Sequence, residues 1–194
     1  MTDEHGHDHG HEHQHGYIEA VEQMRHEAAH YYEDHFDWRG HEPPADWSGP
    51  KFYPVAEKWR VDAWLDRDAP ATGDHVKLAT STGKLRDMTI AGQLVFDVGG
   101  QEHRLTAYAP IGDEVELWVP FQDATSGKET YGAGRYIEVP PAEEGTFDLD
   151  FNFAYNPSCA YSPVYDCPYP PAGNRLAIRV EAGEMVPFPE QLAH

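Results

Sequence analysis

The chain reads as a mainly β protein: a single closed or nearly closed antiparallel β-barrel of about nine strands, with one N-terminal α-helix and a Pro-rich arm. Two observations point there. From residue 59 onward, short apolar runs alternate with turn residues, and 17 glycines and 16 prolines are spread through 194 residues to supply the turns. Only one stretch, near the N-terminus, carries an apolar stripe at helical spacing.

The elements follow in order. Residues 1–16 alternate His5, His7, His9, His11, His13 and His15 with Gly, Asp, Glu and Gln. With no apolar residue after Met1, nothing offsets the entropy of ordering, and a disordered tail is expected. From Tyr17 to about Asp37, Ile18, Val21, Met24, Ala28, Tyr31, Tyr32 and Phe36 fall on one helical stripe. Residues 38–54 hold Gly40, Pro43, Pro44, Gly49, Pro50 and Pro54, which forbid regular structure. They leave an extended arm anchored by Trp38, Trp47, Phe52 and Tyr53.

Strand-like runs then fall at 59–65, 74–80, 86–91, 93–98, 102–108, 115–120, 134–139, 146–153 and 175–181. Gly99 and Gly100 between two of them signal a tight hairpin, since paired glycines accept the positive φ of a primed turn. The expected division is a His-rich tail (1–16), helix and wrapping arm (17–58), and barrel (59–194). The segment from Asp150 to Arg175 is expected to cover one mouth of the barrel.

Charge narrows the function classes. With 34 acidic residues against 14 basic ones, the net charge is −20, and the clustered Lys and Arg that phosphates demand are missing. Nucleic acid is therefore excluded as a partner. The acid-rich, lysine-poor surface fits life in concentrated salt, with an ordinary acidic protein as the alternative. No apolar run approaches the length of a membrane span, and the N-terminus has no apolar signal region, so a cytoplasmic location away from membranes is expected. In that compartment Cys159 and Cys167 are expected as free or redox-active thiols, a bridge being the less favoured outcome.

Several motifs carry chemistry. The tail imidazoles can gather around Zn(II), Ni(II), Co(II) or Cu(II), which makes a divalent metal ion an expected partner. Its bland alternatives are an engineered tag and adventitious binding. His26-Glu27-Ala28-Ala29-His30 is an H-E-x-x-H on the helix and resembles the zinc site of zincin metallopeptidases, with Glu57 conceivable as a third ligand. The helical wheel opposes this, because it puts both histidines opposite Val21, Met24 and Tyr32 and therefore in water.

In the long connection 121–136, Asp123, Tyr131 and Arg135 suit an anion or a polar small molecule, or else an internal Arg–Asp pair. Strict alternation in 148–153 sends Asp148, Asp150 and Asn152 to one side of a strand. Tyr155 and Asn156 follow it, and the Pro-bounded loop from Cys159 to Cys167 reads as half a zinc site, a reactive thiol or loop packing.

These same segments are similar to the uncharacterised family called domain of unknown function 1684. The resemblance rests on Asp123-Ala124-Thr125-Ser126-Gly127, Glu129-Thr130-Tyr131-Gly132, Gly134-Arg135-Tyr136, Leu149-Asp150-Phe151-Asn152, Ala154-Tyr155-Asn156-Pro157 and Cys159-Ala160. It continues in Cys167-Pro168, Asn174-Arg175-Leu176 and Ala182-Gly183-Glu184, and loosely covers residues 17 to 187. Ser158 departs from the family pattern, which shows a second proline there. The resemblance implies fold and boundaries and no activity.

The resulting reading is a binding or accessory protein whose polar pocket takes a small polar molecule, with Asp123, Tyr131, Arg135, Asp150, Asn152, Tyr155, Asn156, Cys159, Cys167, Asn174 and Arg175 as candidate ligand contacts. Its rivals are a zinc-dependent hydrolase using His26, Glu27 and His30, a thiol-dependent one using Cys159, and a structural interaction protein.

Overall fold

The computed structural model describes residues 9–109, 116–142 and 145–192. The chain divides into two compact units, one ending at Phe36 and the other beginning at Asp37. Among the described residues the first holds one helix, α1 (His9–Asp34). It starts eight residues earlier than its apolar stripe, so the expectation of a disordered tail is corrected for residues 9–16. Histidine, glutamate and glutamine tolerate helix, and a helix already nucleated downstream grows into them at low cost. Val21, Tyr32 and Phe36 of the expected stripe are buried, and Tyr31 is exposed.

The second unit is built on one antiparallel sheet: β1 (Arg60–Asp66), β2 (His75–Ala79), β3 (Leu85–Val98), β4 (Gln101–Ala109), β5 (Leu117–Phe121), β6 (Arg135–Val139) and β7 (Thr146–Asp150). Their order is β6-β5-β4-β3-β1-β7, with β2 pairing β3 outside that path. The expected closed barrel of nine strands is thereby corrected to an open, curled sheet of seven. Among the described residues no ladder joins β6 to β7; their neighbourhood is linked by the isolated bridge Pro141↔Phe147.

Three local causes account for two lost strands and one shortened one. The runs 86–91 and 93–98 form one strand, β3, whose register slips between Ile90 and Gly92. At Gly92 (φ +150°) an added Cβ would sit 2.7 Å from the Asp66 carbonyl oxygen, so the extra residue of this bulge needs a neighbouring glycine. The run 146–153 stops at Asp150, whose carboxylate accepts from the Asn152 N–H at 2.9 Å and caps a 3-10 turn, Phe151–Phe153. The polar stripe 148–152 is thus not one strand face. The run 175–181 meets 122–124 through single contacts, Leu176 N–H to the Gln122 carbonyl at 2.8 Å and Ala124 N–H to that of Ile178 at 3.0 Å, without a ladder.

The concave face of the sheet is the core. Leu94, Phe96, Leu105, Ala107, Leu117, Val119, Phe121, Ile137, Val139 and Leu149 are fully buried there or nearly so. Leu176, Val180 and Ala182 from the C-terminal segment pack into the same cluster, giving the open sheet the apolar partner that closure would have supplied. The arm runs beside that segment. Tyr53 N–H reaches the Gly183 carbonyl at 3.0 Å and Met185 N–H that of Lys51 at 2.8 Å. Trp38, Trp47, Tyr161 and Phe188 cluster with ring centroids 5.3 to 6.4 Å apart.

Candidate functional site

On β5, Leu117, Val119 and Phe121 point into the core, so Trp118 points to the convex face. On β6 the same parity sends Tyr136 and Glu138 outward beside Ile137 and Val139. The bulge in β3 changes its parity. Gly92 faces core residue Ala107, whereas Ile90 pairs Tyr108, which itself pairs Trp118. One extra residue therefore turns Arg86 and Met88 to the side that carries Trp118.

A second layer covers this convex patch. Tyr155 is bonded to Tyr136 by two main-chain hydrogen bonds of 2.9 Å. The Tyr136 hydroxyl donates to the Pro168 carbonyl at 2.5 Å. The turn after β2 holds the far end: Ser81 N–H donates to the Cys167 carbonyl at 2.9 Å, and Cys167 N–H to Ser81 Oγ at 3.1 Å. The expected mouth cover is thus a strap over an outer face.

Between strap and sheet lies a cavity of about 300 Å³ walled by Trp118, Tyr136, Tyr155 and Met88, with Cys167 in its lining and Arg86 at its exposed edge. Trp118 and Tyr136 meet edge to face at 4.8 Å. The Tyr155 hydroxyl hydrogen-bonds Glu138.

Behind the wall, Cys159 and Cys167 are both free and buried. They pack with Tyr136, Tyr131 and Tyr155. Cys159 N–H points at the Cys167 sulfur at 3.3 Å, which sets the two side chains together. The polar neighbours Cys167, Ser81 and Tyr131 hold the Cys159 thiol below the ordinary range against the effect of burial. The neighbouring Cys159, reinforced by burial, pushes Cys167 up. Burial also raises the tyrosine hydroxyls at 131, 136 and 155, so they act as neutral donors.

Other candidate residues bond the chain itself. The fully buried Arg135 guanidinium donates to the carbonyls of Val180 (3.0 Å), Ala182 and Glu184 (3.2 Å), alternate residues of the C-terminal segment. It faces Asp123 at 3.5 Å. Asp123 accepts from Val180 N–H at 2.7 Å and from the Thr125 hydroxyl at 2.9 Å. Asn174 bridges β4 to β5 by taking the Thr106 N–H (2.8 Å) and donating to the Thr106 (2.8 Å) and Pro120 (2.7 Å) carbonyls. Asn152 clasps Ala56 through both its N–H and its carbonyl, each at 3.0 Å, and Asp150 caps Asn152. Asn156 donates to the Met185 carbonyl at 2.7 Å, and the exposed Arg175 reaches Gln122 at 3.5 Å.

The structure therefore brings Tyr131, Tyr155, Cys159 and Cys167 together and pairs Asp123 with Arg135. Sequence reasoning missed Arg86, Met88, Trp118 and Tyr136. Strand parity would have found Trp118 and Tyr136, but the bulge hides Arg86 and Met88.

Of the metal candidates, His5 and His7 lie outside the described residues, as do the side chains of His9, His11 and His13. His15 Nδ1 lies 3.7 Å from Glu19. His26 and His30 are exposed, with their Nε2 atoms 3.1 Å apart, and His30 Nδ1 is 3.7 Å from Glu33. Among the described residues no group of three His, Cys, Asp or Glu side chains is placed to share a cation, which leaves the zincin resemblance without a third ligand there. Nor is any described helix long and apolar enough to cross a membrane.

Fold and site together define a small β protein with an open curled sheet, an apolar plug on the concave side and an aromatic-walled cavity under a strap on the convex side. The chain belongs to the family described as protein of unknown function (DUF1684), whose model matches residues 45–185. It is similar to an uncharacterized protein of Haloarcula marismortui solved in solution by NMR: 30% identity, 92% of this chain and 98% of that one covered, TM-score 0.66. No curated protein matches the chain.

Proposed function

We propose that this is a small-molecule-binding protein whose site is the cavity under the strap. The observation that carries this reading is the convergence of Trp118, Tyr136 and Tyr155 around a space of about 300 Å³, with Arg86 at its edge. Such a volume lies at the lower end for ligand pockets, and flat aromatic walls favour a planar ligand. The arginine adds a preference for a carboxylate or similar anionic end. The ligand class is thus a small, planar, mainly apolar acid, more apolar than the polar molecule expected from sequence.

Titrating the labelled protein with indole-3-acetate, followed by amide and indole N–H chemical shifts, tests the reading. Shifts centred on Trp118, Tyr136 and Tyr155, with Arg86→Met weakening binding about tenfold, are the expected result. Shifts scattered over the surface, or none at millimolar probe, would refute it.

The metal-binding role of His5, His7, His9, His11, His13 and His15 stands as a separate proposal, supported by their density and donor chemistry. Calorimetric titration with Zn(II) should show uptake that disappears when these six become Gln; uptake surviving that change would place the metal elsewhere.

A further inference from the structure

The two cysteines are buried in one cluster, the Cys159 N–H points at the Cys167 sulfur at 3.3 Å, and Cys167 lines a cavity. Packing alone does not require this. A thiol serving only as a small apolar filler needs neither a second thiol packed beside it nor a place in the wall of a cavity. The surrounding contacts hold the pair in register: Ser81 accepts from Cys167 N–H at 3.1 Å, and Cys159 N–H points at the Cys167 sulfur at 3.3 Å. Disulfide formation requires the sulfurs to close to about 2.05 Å with a Cβ–S–S–Cβ dihedral near 90° in magnitude. The residues between them, 160–166, form a short loop whose ends are already anchored at Ser158–Ala160 and at the Thr80↔Pro168 bridge.

We propose that Cys159 and Cys167 are an exchange dithiol that reduces low-molecular-weight disulfides admitted through the cavity, Cys167 taking the first sulfur and Cys159 releasing it. Access sets the order of events, because Cys167 lines the cavity and Cys159 sits behind it. In the first step the Cys167 sulfur bonds to the near sulfur of R–S–S–R, the bond between the two substrate sulfurs breaks, and the far one leaves as RS⁻. Cys159, the thiolate of the pair, takes the Cys167 proton as that sulfur attacks and passes it to the departing thiolate, so that RSH is released and Cys159 is thiolate again.

In the second step Cys159 attacks the Cys167 sulfur and breaks the bond between Cys167 and R. The second RS⁻ takes a proton from solvent, which matches the one Cys159 released to solvent when it ionised. The net change is one substrate disulfide reduced to two thiols and two cysteines oxidised to one internal disulfide. Two equivalents of a small thiol run the same steps backward and reset the protein. This inference uses the same cavity as the proposed ligand site, with Cys167 in its lining, but does not need a ligand of the proposed class.

The test uses the full reduced chain and 2-hydroxyethyl disulfide under native conditions, with acid quenching, intact mass and free-thiol counting. Wild type should lose both thiols with no retained adduct and a mass two hydrogens lower. Cys159→Ser should hold a stable adduct on Cys167, whereas Cys167→Ser should react only once denatured. Peptide mapping of partly reacted wild type gives the same assignment if either variant fails to fold. Thiols that stay unreactive until denaturant is added, an adduct that persists on wild type, or first modification at Cys159 would overturn the proposal. Loss of indole-3-acetate binding with exchange intact would instead count against the ligand reading alone.

Discussion

At the scale of single residues, polar side chains do the work of missing backbone. Arg135 satisfies three carbonyls of a segment that has no strand partner, with Asp123 as its counter-charge. Arg135→Met removes those donors and leaves a buried carboxylate without its cation, so a loss of about 3–5 kcal/mol is expected in urea unfolding. Arg135→Lys should fare little better, since one ammonium cannot span the carbonyls that a planar fork reaches. Glu184 is the second such residue. Burial pushes its carboxyl up to about 7, against the opposing effects of Asn156, Tyr161 and Arg135. An unfolded glutamate titrates near 4.3, so between about 4.3 and 7 the folded chain holds a proton that the unfolded chain has released. Stability from this group is therefore highest at the acid end, falls as pH rises to about 7 and is flat beyond. Glu184→Gln should remove a pH dependence on the order of 3 kcal/mol, read as the difference between wild-type and variant urea midpoints at pH 5 and pH 8. Equal slopes in the two proteins would show that Glu184 does not titrate in that window.

At the scale of elements, what was legible depended on period. Eight of the nine expected runs fall in the seven strands, two of them in β3, because alternation on a half-buried sheet is written in the residues themselves. The bulge at Gly92 and the cap at Asp150 were not legible, since each depends on a contact distant in sequence or on a side chain turning back on its own backbone. The run 175–181 looked like a strand because its apolar residues do enter the core, but Arg135 takes the hydrogen bonds that a neighbouring strand would have taken. Position-specific glycines follow the same logic. Gly134 (φ +104°) sits against β5, where an added Cβ would lie 2.6 Å from the Phe121 carbonyl oxygen and 2.7 Å from Pro170. Gly83 (φ +80°) has an equally unusual backbone but open space around it. Both alanine variants carry the conformational strain, and only Gly134→Ala adds a clash with main chain. Gly134→Ala should thus be less stable than Gly83→Ala by about 1–3 kcal/mol in chemical unfolding. Near-equal costs would mean that β5 and β6 can part freely.

At the scale of the whole molecule, the acid-rich composition sets how the fold responds to salt. Nine arginines and five lysines face 34 carboxylates. Several arginines are already taken: Arg60 by Asp148 at 2.8 Å, Arg104 by Asp66 and Glu102, and Arg179 by Glu129 and Glu181. These exposed pairs each contribute little, and salt weakens them further. Repulsion among the remaining acids acts the other way, because a net charge of −20 on an accessible surface of 11270 Å² works against compaction. The two effects oppose each other, and their numbers decide the sign: the unpaired acids outnumber the pairs. Raising ionic strength from about 0.1 M to 1 M shortens the screening length from about 10 Å to about 3 Å, which removes most of the repulsion while sparing the buried Asp123–Arg135 pair. Sodium chloride is the salt to use, since sulfate would also strengthen apolar burial and blur the cause. A gain of 1–2 kcal/mol, or about 2–8 °C in Tm for a chain of this size, is expected between those concentrations. A Tm that falls with sodium chloride would mean that the surface arginine pairs outweigh the bulk charge, and the acidic surface would then have no role in salt tolerance.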